Sequence, residues 1–266
     1  MKVALIQNQI IWEDKIRNIA RIEGIISDNP DMDLYLLSEM SFTGFSMNIS
    51  KTAESGQETV KRIRKIAVDK NVTIGFGWVR QIESKCENVY SIIDNKGILI
   101  SEYTKIHPFS YSGEDKFFSG GNRITTFTIG GIPFSAFICY DLRFPELFRI
   151  ICRDVHAVII PANWPAKRSE HWKILLRARA IENQMYIFAV NCVGDMNGSY
   201  YSGDSCIINP NGDVIMSMSD QEGVLKYEFI DDVDQYRKAF PVLDDIKTSS
   251  VSRYSFSSTG SGQIHD

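Results

Sequence analysis

The sequence predicts an α/β fold in which helices cover mixed β-sheets. Segments with strand-like and helix-like apolar spacing alternate along most of the 266 residues, a pattern typical of layered α/β domains. Several strands are also joined by short polar turns, so antiparallel and parallel neighbours are expected in the same sheets. A hydrophobic content of 44% is sufficient for a sizeable core.

Single strands and helices alternate first. Apolar runs predict strands at 3–10, 34–37 and 72–79, and apolar residues at near-helical spacing predict helices at 14–27 and 59–70. Two hairpins follow, with turns at 94–97 and at Gly130-Gly131. Their strands are predicted at 89–93, 98–103, 124–129 and 132–138. The remaining predictions are a helix after Pro145, a strand at 157–160, a helix at 170–183, a strand at 185–190 and a hairpin turn at 209–212.

No repeat and no linker divides the chain, so residues 1–250 are expected to form one domain. Residues 251–266 are predicted to be a flexible or partner-contacting tail, because serine and glycine predominate there.

Charge and composition argue against several classes of protein. A net charge of −4 gives no basic excess to attract nucleic acid or a membrane surface. No apolar stretch approaches the roughly 20 residues that span a bilayer, and no secretory signal is recognisable. The five cysteines are scattered and odd in number, which predicts neither a disulfide framework nor a metal site. We expect a cytoplasmic protein.

Cys139 is the first candidate for chemistry. It follows a predicted buried strand and precedes Pro145, which suits the first turn of a helix. At such a turn, backbone N–H groups and the positive end of a helix can stabilise a thiolate or an oxyanion. The alternative is that Cys139 is a small buried apolar residue, as most free cysteines are.

Glu39 and Lys105 are the other two candidates, and each also ends a predicted strand. Glu39 lies among apolar and aromatic neighbours, where a carboxylate needs a partner or a raised pKa. A lysine can pair with a carboxylate or stabilise an oxyanion. Taken alone, each residue is better explained as a solvated surface charge. The three residues together support a functional site, because strand ends at one edge of a sheet can converge in space.

At these residues the sequence resembles the nitrilase superfamily of carbon–nitrogen hydrolases. Residues 37–47 resemble the segment around that family's catalytic glutamate, 103–107 its lysine segment, and 137–146 its cysteine elbow. Residues 161–166, 177–184 and 201–205 are similar to the ω-amidase branch, whose members hydrolyse short dicarboxylate monoamides such as 2-oxoglutaramate. The run 107–111 differs from that branch, which affects the substrate and leaves the reaction class unchanged.

The resemblance implies a four-layer α–β–β–α sandwich with two mixed β-sheets, a homodimer or higher oligomer, and no metal or organic cofactor. It also implies a fourth catalytic residue, Glu114, which would hold Lys105 and orient substrate; Asp115 is adjacent and leaves some ambiguity. In the implied reaction, Glu39 removes the proton of Cys139, and a thioester forms on Cys139 and is then hydrolysed. An apolar helix at 144–151, if partly exposed, would form the subunit interface.

Several alternatives stay open. The substrate could be another amide, a carbamoyl compound or a nitrile. A Cys–His acyltransferase would use His107 as the partner of Cys139, and a non-enzymatic scaffold would need none of these residues. Tyr140, Phe109 and Trp164 are candidate walls of the substrate pocket, although each could equally pack in the core. For Arg143 we favour a structural ion pair over a contact with substrate.

Overall fold

The structure, a computed structural model, describes residues 1–247. It consists of two mixed β-sheets packed face to face with helices on both outer faces, which confirms the predicted four-layer α/β sandwich. The predicted tail, 251–266, lies outside the described residues. Within the described part of the chain, no helix is long and apolar enough to cross a membrane.

The strands form a six-stranded and a seven-stranded sheet. In chain order they are β1 (Lys2–Gln7), β2 (Leu34–Leu36), β3 (Thr73–Ile82), β4 (Lys85–Ile93), β5 (Leu99–Thr104), β6 (Thr126–Ile129), β7 (Ile132–Ala136), β8 (Ala157–Ala162), β9 (Tyr186–Asn191), β10 (Val193–Met196), β11 (Ser199–Ile208), β12 (Val214–Ser219) and β13 (Gly223–Glu228). The first sheet has the order β13-β1-β2-β3-β4-β5, and the second has β10-β11-β9-β8-β7-β6 with β12 beside β11. In each sheet, the central strands β1-β2-β3 and β7-β8-β9 are parallel.

The helices are α1 (Lys15–Asp28), α2 (Ile49–Thr52), α3 (Glu58–Lys70), α4 (Glu114–Phe117), α5 (Pro145–Ile151), α6 (Ser169–Asn183) and α7 (Val233–Ala239). α1 and α3 cover the outer face of the first sheet. In β1, Val3 and Leu5 face the second sheet, whereas Ala4 and Ile6 face these helices. Because both faces of the strand are buried, its sequence is continuously apolar.

Local signals account for several element boundaries. The Asp14 side chain accepts a hydrogen bond from the N–H of Arg17 and so caps α1. Gly130 and Gly131 both have positive φ, 58° and 84°, as a tight two-residue hairpin requires. The strand predicted at 72–79 extends to Ile82 and turns into β4, a hairpin that the sequence analysis missed.

The exposure of α5 on which the expected subunit interface depends is only partial. Leu147, Phe148 and Ile151 are buried against the second sheet, and only Ile150, 66% exposed, points fully outward. Ile174 and Ile181 on the neighbouring α6 are also exposed. α5 therefore packs mainly in the core and presents Ile150 to the surface near the exposed isoleucines of α6.

Candidate active site

The three predicted catalytic residues meet at one end of the sandwich. Glu39 follows β2 and Lys105 follows β5 in the first sheet, whereas Cys139 follows β7 in the second. Lys105 Nζ lies 2.8 Å from Glu39 Oε1. The thiol of Cys139 lies within electrostatic range of the Glu39 carboxylate. Residues that are 100 positions apart in the chain thus come close together where the two sheets join.

Glu114 joins this group and completes a buried ion cluster. Lys105 Nζ lies 2.9 Å from Glu114 Oε2, and the side chains of Lys105, Glu39 and Glu114 are at most 1% exposed. The adjacent Asp115 is exposed, so Glu114 is the acid that faces inward. Burial alone would lower the pKa of Lys105, but the charges of Glu114 and Glu39 outweigh it and raise that pKa. Burial and the charge of Glu39 raise the pKa of Glu114.

Cys139 begins a 3₁₀ turn, Cys139–Arg143, that connects β7 to α5. Its φ of 47° lies in the left-handed region, which is strained for a residue with a side chain and is often found at active sites. Burial and the charge of Glu39 raise the pKa of the thiol. The expected stabilisation of a resting thiolate is therefore wrong, because the helix α5 starts only at Pro145 and a carboxylate lies beside the sulfur. The resting group is a thiol, which needs a base.

Two asparagines that the sequence analysis did not identify hold Glu39. The amide nitrogen of Asn88 donates to Glu39 Oε1 over 2.7 Å and to Glu114 Oε1 over 3.1 Å. The backbone N–H of Asn163 donates to Glu39 Oε2 over 2.9 Å. Both oxygens of Glu39 are therefore fixed by protein donors. Asn88 precedes the predicted strand 89–93, and a polar residue at the start of a buried strand is the one sequence signal it offered.

Asp141 connects the cysteine turn to the lysine segment. Its carboxylate accepts hydrogen bonds from Tyr103 Oη at 2.8 Å, from the backbone N–H of His107 at 3.0 Å and from that of Ile138 at 3.1 Å. The Nδ1 atom of His107 lies 2.8 Å from the same carboxylate, and its ring stacks on Phe144. His107 thus pairs with Asp141 and does not line the cavity that contains Cys139, which disfavours the Cys–His alternative.

A cavity of about 190 Å³ opens above Cys139, a size suited to a small substrate. The three predicted pocket residues, Tyr140, Phe109 and Trp164, all line it. Phe45 and Tyr201, which were not predicted, line it as well. The nucleophile candidate therefore lies in a largely aromatic pocket.

The cavity is also lined by cations and, within residues 1–247, by no aspartate or glutamate. The guanidinium of Arg143 lies 4.7 Å above the ring of Trp164, and that of Arg168 lies 5.3 Å above the ring of Phe109. Burial and the charge of Arg168 lower the pKa of Arg143. Arg143 contacts His171 and has no carboxylate partner among the described residues, so the favoured structural ion pair is wrong.

The described residues contain no cluster of three or more His, Cys, Asp or Glu side chains that could hold a metal ion. The cavity instead exposes the thiol of Cys139 and the ammonium group of Lys105, and two buried carboxylates contact that ammonium group from behind the cavity wall. This set can carry out nucleophilic acyl transfer with general acid–base catalysis.

Comparison with known proteins agrees with this chemistry. The family model for carbon–nitrogen hydrolases matches residues 2–238. A 2-oxoglutaramate amidase of Bacillus subtilis is 34% identical, over 92% of this chain and 97% of the relative. The ω-amidase YafV of Escherichia coli K12 is 32% identical, over 92% and 96%. A crystal structure of a CN-hydrolase superfamily protein from Xanthomonas campestris superposes with a TM-score of 0.87 and 29% identity, over 93% of this chain and 97% of that one.

Proposed function

This chain belongs to the carbon–nitrogen hydrolase family, and from that premise we propose that it is an ω-amidase. It hydrolyses the terminal amide of a short dicarboxylate monoamide, such as 2-oxoglutaramate, to the acid and ammonia. The names of the relatives from Bacillus subtilis and Escherichia coli support an amide substrate of this kind.

The observation that carries the proposal is the pair of arginines beside the candidate nucleophile. Arg143 and Arg168 both line the cavity of Cys139, and their mutual repulsion is not relieved by a carboxylate of the described chain. Each guanidinium lies over an aromatic ring, and that of Arg143 also contacts the ring of His171 through both terminal nitrogens. A substrate with a carboxylate at one end and an amide at the other can pair its carboxylate with the arginines and place its amide at Cys139.

The first half of the reaction forms a thioester. Glu39 takes the proton of the Cys139 thiol, and the sulfur attacks the amide carbonyl carbon. The ammonium of Lys105 and the backbone N–H of Tyr140 stabilise the resulting oxyanion. Glu39 then gives the proton to the amide nitrogen, the C–N bond breaks, and ammonia leaves. The raised pKa of the thiol supports this order, because proton transfer has to accompany attack.

The second half hydrolyses the thioester. Glu39 removes a proton from water, the hydroxide attacks the thioester carbon, and the proton returns to the sulfur as the acid is released. Glu114 acts through its contacts. It fixes Lys105 Nζ at 2.9 Å and accepts the backbone N–H of Phe109, a residue of the cavity wall. It thereby positions both the oxyanion-stabilising group and the substrate.

We also propose that the chain works as a homodimer in the cytoplasm. Exposed isoleucines on α5 and α6, two helices that contact each other, supply an apolar surface. All five cysteines are free, which suits a reducing compartment.

Ammonia release from a panel of compounds tests the substrate class. The panel contains 2-oxoglutaramate, succinamate, the uncharged butyramide, a linear urea and a nitrile. We expect kcat/KM to be highest for the two monoamides. Arg143→Gln and Arg168→Gln should each lower that value about 10- to 100-fold, because each removes a charge-assisted hydrogen bond.

Arg149→Gln, on α5 and outside the cavity, is the control and should leave kcat/KM unchanged. The activity on butyramide should respond little to any of the three changes. Equal kcat/KM for succinamate and butyramide in the unmodified enzyme would contradict the proposed substrate class.

A further inference from the structure

Asn88 is a buried polar residue that the mechanism has not used. It lies in β4, 1% exposed, between β3 and β5. Its backbone carbonyl accepts the N–H of Lys105 over 2.9 Å. The side chain of Asn88 is therefore held at a fixed position relative to the segment that carries the ammonium group.

The amide of Asn88 bridges the two carboxylates of the site. Its nitrogen has two hydrogens, and one goes to Glu39 Oε1 and the other to Glu114 Oε1. The reverse orientation would place the amide oxygen against both carboxylates. The orientation of the amide is thus determined by its neighbours.

The charges around Asn88 explain why a neutral donor is needed. Glu39, Glu114 and Lys105 together bring two negative charges and one positive charge into a site where their side chains are at most 1% exposed. An amide stabilises both carboxylates without adding charge of its own. It also occupies Glu39 Oε1, which already accepts from Lys105 Nζ at 2.8 Å. Among residues 1–247, the backbone N–H of Asn163 donates to Glu39 Oε2, and this oxygen can still accept a proton.

We propose that Asn88 is a positioning residue that stabilises the charged carboxylate of Glu39 through Oε1 and directs the thiol proton of Cys139 to Oε2. In this step the S–H bond breaks, the Oε2–H bond forms, and the electron pair left on sulfur attacks the carbonyl carbon. The inference rests on the proposed cysteine mechanism and does not depend on which amide is the substrate.

The titratable groups that face Glu39 come from several elements. Lys105, Glu114 and Cys139 are already described. Cys192, after β9, and Tyr201, on β11, also lie within electrostatic range of Glu39. All of these groups are unchanged when Asn88 is replaced, so a change in pH dependence can be assigned to the lost amide.

The test is the pH dependence of Cys139 alkylation by iodoacetamide, followed by intact-protein mass spectrometry. Cys139→Ala gives the background from the other cysteines. The isosteric changes Asn88→Leu and Asn88→Asp remove the donors, and Asn88→Asp also adds a negative charge. Ser91→Ala is the matched control, because Ser91 is buried on the same strand and its hydroxyl accepts from Trp78 away from the site.

We expect the acid limb of the alkylation profile to move to higher pH by about 1–2 units in Asn88→Leu, which corresponds to one lost charge-assisted hydrogen bond. The shift should be larger in Asn88→Asp and absent in Ser91→Ala. At neutral pH the rate should fall about 10- to 100-fold in Asn88→Leu, and it should recover as the pH is raised.

An unshifted limb in both Asn88 variants, or an equal loss of rate at every pH, overturns the inference. Circular dichroism identifies a variant that has not folded. If one Asn88 variant does not fold, the alkylation profile of the other variant tests the inference. Alkylation needs no amide substrate, so this result is independent of the substrate panel. An enzyme that is active on 2-oxoglutaramate and shows unshifted profiles overturns the role of Asn88 alone.

Discussion

Replacing Lys105 by methionine should destabilise the protein by several kcal/mol, because two buried carboxylates lose their cation. Nζ lies 2.8 Å from Glu39 Oε1 and 2.9 Å from Glu114 Oε2. At an effective dielectric constant of about 20, each contact supplies about 6 kcal/mol of Coulomb attraction. The dehydration of three charges offsets much of this gain. Removal of one partner from a buried ion pair typically costs about 3–5 kcal/mol.

The destabilisation should depend on pH, with a defined sign. Burial raises the pKa of Glu114 above its ordinary value of 4.5, and Lys105 opposes that rise. Without Lys105 the folded-state pKa increases further, so the folded protein binds this proton more strongly than the unfolded chain does. The destabilisation caused by the raised pKa of Glu114 is therefore absent at a pH below the ordinary pKa of a glutamate. It grows as the pH rises and is complete at a pH above the raised pKa. Lys105→Met should regain stability as the pH falls from about 8 to about 5.

Urea unfolding followed by circular dichroism at those two pH values measures the effect. Lys65→Met is the control, because Lys65 forms an exposed ion pair with Asp69 on α3 and should contribute less than about 1 kcal/mol. Combining Lys105→Met with Glu114→Gln restores the net charge of the site and should recover part of the loss. A loss of equal size at both pH values, or one no larger than in Lys65→Met, would refute the reasoning.

Two further predictions concern roles and assembly. Glu114→Gln should still form a slow thioester on Cys139, whereas Glu39→Gln should lose about 10²–10⁴-fold in rate and show none by intact-protein mass spectrometry; the reverse pattern would exchange the two roles. Light scattering should give at least twice the 30.2 kDa chain mass, and Ile150→Asp should lower it. A monomeric mass at micromolar concentration would contradict the dimer.

The sequence predicted the strands that form the parallel centre of each sheet, because those strands are buried on both faces and largely apolar. The sequence was less informative about antiparallel strand pairs, because their prediction depends on the turn residues between the strands. The turn between β3 and β4 contains Glu83 at a φ of 38°, without glycine, asparagine or proline to mark it. The hairpin of β10 and β11 turns at Asn197-Gly198, both with positive φ. An Asn-Gly pair is typical of such two-residue turns, although no turn is among the predictions for this segment.

The site was predictable to the extent that its residues end strands. Glu39, Lys105 and Cys139 each do, and the structure brings them together. Asn88 and Arg168 were missed for a different reason. Their positions in the sequence give little indication of a role. Tertiary contacts show that Asn88 bridges two carboxylates and that Arg168 has no carboxylate partner among residues 1–247.

Because the site is divided between the two sheets, the catalytic rate depends on how the two sheets are aligned. The base and the ammonium group belong to one sheet, whereas the sulfur and Asn163 belong to the other. Misplacement of reacting groups by about 1 Å can cost 10²-fold in rate. A partly loosened state that kept every strand but let one sheet shift relative to the other would therefore be inactive. Turnover requires the native alignment of the sandwich, beyond the mere presence of its secondary structure.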